Sequence, residues 1–231
     1  MSQVESFFRQ LKSLLEGHAS PVAAASMARY MKNQFDFYGI KGPERKALVR
    51  QCVNEQGMPR MDDLPALFRL CFAQEQREWQ YVVNDLGQRT GPKMDLDFLS
   101  LWDELIAQKS WWDTVDFLSP KLAGRLLLRF PEALPQTAYS WIERPNFWYQ
   151  RAALLLQLDY KAQTREGLLF ELIRRRKDSP EFFVQKAAGW ALRQYARVAP
   201  ERVIAFTAET ELAPLTRREG LKGIRSQDQR K

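Results

Sequence analysis

Apolar positions recur along this chain at three- and four-residue intervals, and nowhere do they alternate long enough to specify a strand. Val4, Phe7, Phe8, Leu11, Leu14 and Leu15 form one stripe, the mark of an amphipathic helix. Ser20-Pro21 opens a second helix with proline at the first helical position, and that helix runs through Met27-Ala28-Arg29-Tyr30-Met31-Lys32. A loop over 38–42 feeds Pro43-Glu44-Arg45 at the start of a third helix, which carries Leu48 and Val49 inward. After the Gly/Pro break at 57–59 the same period predicts helices over 63–72, 75–88, 95–107, 110–117, 121–129, 133–142, 146–160, 165–176, 180–197, 200–208 and 215–224. Short polar or Pro/Gly links join them. The expectation is one all-α domain over 1–225, followed by a polar tail over 226–231.

A weak internal repeat organises these helices. Phe147-Trp148-Tyr149-Gln150-Arg151-Ala152-Ala153 resembles Phe182-Phe183-Val184-Gln185-Lys186-Ala187-Ala188, 35 residues later. Trp111-Trp112-Asp113-Thr114-Val115-Asp116 lies 36 residues before the first of these, and Arg77-Glu78-Trp79-Gln80-Tyr81-Val82-Val83 is a fainter copy. Each copy begins a helix with aromatic residues and follows another helix, so the unit is a helix pair. Pairs at this period predict an α-solenoid of degenerate HEAT-like repeats whose second helices line a concave side.

Charge suggests what that side meets. Thirty-five Lys and Arg against 28 Asp and Glu give a net charge of +7, which favours a polyanionic partner such as nucleic acid. In the helix over 180–197, Lys186, Trp190, Arg193 and Arg197 are spaced four, three and four apart on one face. Lys121, Arg125 and Arg129 make another basic row, and Arg174–Arg176 with Lys177, Arg217-Arg218 and Lys222 add further positive charge. Such faces suit phosphates, with an aromatic ring against the sugar, and would form a concave basic groove. A solvated Arg/Lys face with Trp190 tucked between repeats fits the same spacing.

Several chemistries are excluded or weakened. There is one histidine, His18, and two cysteines, Cys52 and Cys71, which make neither a disulfide framework nor a metal cluster. No Walker A loop or Gly-x-Gly-x-x-Gly occurs, and the 38–42 loop serves a turn as well as it would serve a phosphate. With no secretory pattern and no bilayer-length apolar run, the expectation is a cytoplasmic protein that uses no membrane, metal or cofactor.

The chemistry concentrates in Lys109-Ser110-Trp111-Trp112-Asp113-Thr114-Val115-Asp116. Ser110 and Asp113 have the spacing of a capping box, which assigns Asp113 to the helix start. Asp116 follows Trp112 by four residues, so a ring and a carboxylate share a face. The octapeptide alone also fits two core tryptophans and two solvated aspartates. A single carboxylate suffices to cleave a glycosidic bond whose leaving group is already cationic, as in a purine alkylated at N3 or N7. It stabilises the oxocarbenium-like sugar and orients water, while aromatic rings add cation–π stabilisation.

The 109–116 run, Tyr149-Gln150-Arg151-Ala152-Ala153, Gly189-Trp190-Ala191-Leu192-Arg193-Gln194-Tyr195-Ala196, the 27–32 segment and the 211–219 segment closely resemble the AlkD-type DNA alkylation repair glycosylases. The resemblance spans nearly the whole chain. It implies a HEAT-like solenoid, monomeric and metal-free, that holds duplex DNA and excises cationic N3- and N7-alkylpurines without flipping the base into a pocket. By motif match it implies Asp116 as the catalytic carboxylate and Trp112 and Trp190 as the rings at the lesion sugar. Arg151 and Arg193 match DNA-contacting arginines, and Tyr30 matches a tyrosine near the groove. Gly220 and Gly223 depart from good helix formers in the last helix. The rival reading is a solenoid of the same architecture that binds DNA or protein without catalysis.

Overall fold

The computed structural model describes residues 2–224, and within them all regular structure is helical apart from an isolated bridge between Asp36 and Gln76. The polar tail over 226–231 lies outside the described residues. The chain groups into two compact units, Met1–Leu101 and Trp102–Lys231. Among the described residues no helix is long and apolar enough to cross a membrane.

The first unit holds α1 (Gln3–Gly17), α2 (Pro21–Tyr30), α3 (Gly42–Gln56), α4 (Leu64–Ala73) and α5 (Glu78–Thr90). Ser2 and Glu5 close a capping box on α1, and the Ser20 hydroxyl caps α2 ahead of Pro21. The α1 stripe buries Phe7, Leu11 and Leu15 completely, against α3 and α4. Each such side chain contributes about 1.5–3 kcal/mol relative to exposure. Phe8 stacks on Trp79 of α5 at 4.6 Å. The 38–42 loop is an internal tie: the buried Glu78 carboxylate accepts N–H groups from Tyr38, Gly39 and Ile40 at 2.9–3.0 Å. Gly39 has a φ of +91°, and a Cβ there would meet the Ser20 carbonyl at 2.2 Å, so the loop is a close-packed turn.

The helix α6 (Phe98–Ala107) carries the chain onward. In the second unit follow α7 (Trp112–Phe117), α8 (Gly124–Arg129), α9 (Leu134–Ile142), α10 (Phe147–Leu155), α11 (Glu166–Arg175), α12 (Phe182–Tyr195), α13 (Pro200–Glu209) and α14 (Pro214–Leu221). Helix pairs stack here as in an α-solenoid. The second helices form one rank, with α7 on α10, α10 on α12 and α12 on α14. In the other rank α9 packs on α11, and Phe170 of α11 stacks on Phe206 of α13 at 4.1 Å. The repeated aromatic helix starts explain the repeat: Trp111, Trp148 and Phe183 meet one another at 4.9–5.7 Å, with Phe147 at their edge.

Two helices predicted as separate, 110–117 and 121–129, are one continuous run. Alpha-helical α7 passes through a π-helical segment, Leu118–Ala123, into α8. Pro120 has no N–H to give the carbonyl four residues back, that of Asp116, and the helix widens at that point. The predicted 146–160 helix ends early at Leu155, and the 180–197 helix ends at Tyr195.

Candidate active site

The second-helix rank places α7, α10 and α12 around one cleft. The π-helical segment docks on α10 where the Ser119 hydroxyl donates to the Ala152 carbonyl at 2.6 Å. Gly124 lets the α10 end approach, since a Cβ there would lie 2.3 Å from the Leu156 carbonyl oxygen. Asp116 precedes Ser119 by three residues and Arg151 immediately precedes Ala152, so this docking brings carboxylate and guanidinium together. Arg151 Nε and Nη2 donate to Asp116 Oδ1 and Oδ2, each at 2.7 Å, a two-pronged pair. Arg151 Nη1 donates to the Phe183 carbonyl at 2.6 Å.

Trp112, Asp116, Arg151, Phe182, Phe183, Lys186, Trp190 and Arg193 together line an open cleft of about 390 Å³. Asp116 is 17% exposed and Arg151 is 4% exposed, so the pair forms a nearly dry floor. Burial raises the Asp116 carboxyl above the ordinary aspartate range; Arg151 opposes that rise and the Asp113 charge adds to it. At the side, Glu219 of α14 accepts Arg193 Nη1 at 2.8 Å and Lys186 Nζ at 3.1 Å. These two cations and the Lys121–Asp159 pair at 2.6 Å show that parts of the predicted basic rows are internally balanced.

Trp112, Asp116, Trp190, Lys186, Arg193 and Arg151 all line this one cleft, and four local readings are corrected. The capping box at 110–113 does not form: α7 starts at Trp112 with Trp111 as its cap residue, and the Ser110 hydroxyl donates back to the Ile106 carbonyl at 2.6 Å. Asp116 is not an uncommitted carboxylate, because Arg151 grips it. Arg151 in turn directs Nε, Nη1 and Nη2 to Asp116 and the Phe183 carbonyl, so it braces the site from within. Arg197 leaves the shared face because α12 has ended before it; it lines a different cavity, of about 270 Å³, with Asp159, Gln194 and Tyr195. Tyr30 sits at the end of α2 in the first unit, 72% exposed.

Two lining residues lie outside the face defined by Lys186, Trp190, Arg193 and Arg197: Phe182 is 56% exposed at the cleft, and Phe183 meets it edge-on at 5.4 Å. Their alignment with the Trp111-Trp112 pair in the repeat was the available signal. The adjacent tryptophans divide their labour: Trp112 faces the cleft, while Trp111 joins the aromatic cluster with Trp148 and Phe183.

A desolvated carboxylate flanked by indole faces stabilises positive charge that develops on a bound group, and cations beside it take anionic groups. Among the described residues no three His, Cys, Asp or Glu side chains converge as metal ligands. Residues 11–224 match the family described as DNA alkylation repair enzyme. A solved structure described as a "Predicted DNA alkylation repair enzyme from Enterococcus faecalis" is 37% identical. The similarity covers 88% of this chain and 95% of that one, with a TM-score of 0.83. No curated protein matches the chain.

Proposed function

The chain belongs to the family of DNA alkylation repair enzymes, and from that premise we propose that it is a DNA glycosylase. Its substrate is duplex DNA carrying a positively charged N3- or N7-alkylpurine, such as 3-methyladenine or 7-methylguanine. The observation that carries this reading is Asp116, the single carboxylate that lines the cleft among the described residues, only 17% exposed beside Trp112, Trp190 and the Arg151 brace.

The chemistry asks for no acid. The N-glycosidic bond breaks with its electron pair going to the purine, which cancels the base's formal charge and lets it leave neutral. Positive charge grows at C1′ and the ring oxygen of the deoxyribose. Asp116 stabilises it electrostatically in a site of low dielectric, and the faces of Trp112 and Trp190 add about 0.5–2 kcal/mol each. Water then bonds to C1′ and loses its proton, with Asp116 orienting it; an aspartate with a raised pKa is a better base for that proton than an ordinary one. Arg151 fixes both carboxylate oxygens in one orientation, which spares the transition state that reorganisation. Lys186 and Arg193 supply cations for the flanking phosphates. An open cleft of this kind suits a sugar and its backbone in the duplex better than an extruded base.

Incubation of duplex DNA containing 7-methylguanine tests the proposal. The wild type is expected to release free base and leave an abasic site, and Asp116→Asn to lose at least about 1.4 kcal/mol of barrier lowering, tenfold in rate. Duplex binding by the wild type without base release would make the cleft a binding surface and overturn the enzymatic assignment.

A further inference from the structure

Lys186 and Arg193 are not left to find their own positions. They lie two turns apart on one face of α12, and Glu219 of α14 takes one from each side, at 3.1 Å and 2.8 Å. The Glu219 side chain is only 8% exposed, and it does not line the cleft that both cations line. Its approach depends on missing side chains. A Cβ on Gly189 would sit 2.6 Å from the Glu219 Cβ and 2.9 Å from the Thr216 carbonyl, and a Cβ on Gly220 would meet the Leu192 side chain at 3.1 Å. The Thr216 hydroxyl also donates to the Gln185 carbonyl at 3.1 Å, one residue before Lys186. Helices α12 and α14 are thus held close at the level of the two cations, with a buried carboxylate beneath them.

A carboxylate behind a phosphate-binding pair weakens raw attraction, since it cancels one of two positive charges. Its benefit is geometric: it fixes where the remaining N–H donors point. We propose that Glu219 is a positioning residue of this cleft, which sets where Lys186 and Arg193 hold the phosphodiester beside the damaged nucleotide and so aligns C1′ with Asp116. The inference rests on the glycosylase assignment.

The test separates affinity from alignment. For Glu219→Gln, single-turnover base release at saturating protein should fall at least tenfold. Its affinity for undamaged duplex should be unchanged or higher, because one unit of positive charge is unmasked; the salt dependence should be no shallower. The same substitution is then made in a Lys186→Met/Arg193→Met background. There it should cause no further loss of base release, and it should raise Tm, since it removes a buried charge that has lost both ion-pair partners and keeps only the Lys222 charge nearby. With the cations present it should lower Tm. Equal losses of release and of Tm in both backgrounds would reduce Glu219 to a packing residue and overturn the inference, as would wild-type release by Glu219→Gln. Absence of base release from the wild type would sink the glycosylase assignment by itself. The affinity and the inverted Tm effect would still decide whether Glu219 pins the pair.

Discussion

Asp116 is pulled in two directions: burial and the neighbouring Asp113 charge favour its protonated form, and the two-pronged Arg151 contact favours its ionised form. Burial prevails, so the folded carboxyl is raised above its unfolded value. The sign follows: its contribution to stability is full at low pH and is lost as pH rises through the raised value, whereas its service as a charge needs the ionised form. Base release should therefore fall on acidification through a pKa above the ordinary aspartate range, visible as the acid limb of a single-turnover pH profile. Asp113→Asn removes a charge that raises that pKa, so it should move the acid limb to lower pH. The Ser110–Asp113 capping box that the spacing predicts is absent, and the effect expected of this variant is the shift of the profile. Arg151 is the costlier residue. Arg151→Met strands a buried carboxylate and should destabilise the second unit by about 3–5 kcal/mol in chemical denaturation.

At the scale of elements, the site depends on how α7, α10, α12 and α14 approach one another. The period of apolar residues predicts each helix, because the 3.6-residue repeat is local. It does not predict the π-helical widening at Leu118–Ala123 or the early end of α12, and these two departures decide which side chains share the cleft. Gly220, poor as a helix former, is explained by the Leu192 side chain packed against it, and Gly189 by the α14 backbone. Gly189→Ala meets backbone and Cβ atoms that cannot swing away, so it should destabilise by about 1–3 kcal/mol. Gly220→Ala comes no closer than 3.1 Å to Leu192, nearest at its Cβ, and should cost less. Thermal unfolding of the two variants side by side checks the order; a larger loss at Gly220 would place the tight contact elsewhere.

At the scale of the molecule, ion pairs tie alternate helices of the second unit. Glu143 after α9 pairs with Arg175 and Arg176, Glu166 of α11 pairs with Arg202 of α13, and Glu219 pairs with α12. Hydrogen bonds from these cations hold all three carboxyls below the ordinary glutamate range. Their stabilisation is therefore present above the unfolded glutamate value, near 4.3, and is lost as pH falls through their lowered values. The exposed pairs contribute little singly, being screened by water and salt. The second unit should lose stability below about pH 4, read as a falling Tm, with the mostly buried Glu219 contributing more than Glu143.

What the sequence by itself determined was the all-helical fold, most helix positions, the aromatic-led repeat, and the motif residues Trp112, Asp116 and Trp190. These depend on periodicity and on residue type. What only the tertiary structure decided was partnership. Arg151 became a brace for Asp116 across 35 residues, Glu219 became the holder of Lys186 and Arg193 across 33 and 26, and Phe182 became part of the cleft wall. Helical spacing determines which face of its own helix a side chain occupies. Which helix comes to that face, how closely, and with which charge depends on packing between elements, where a glycine or a proline shifts the outcome by a few ångströms.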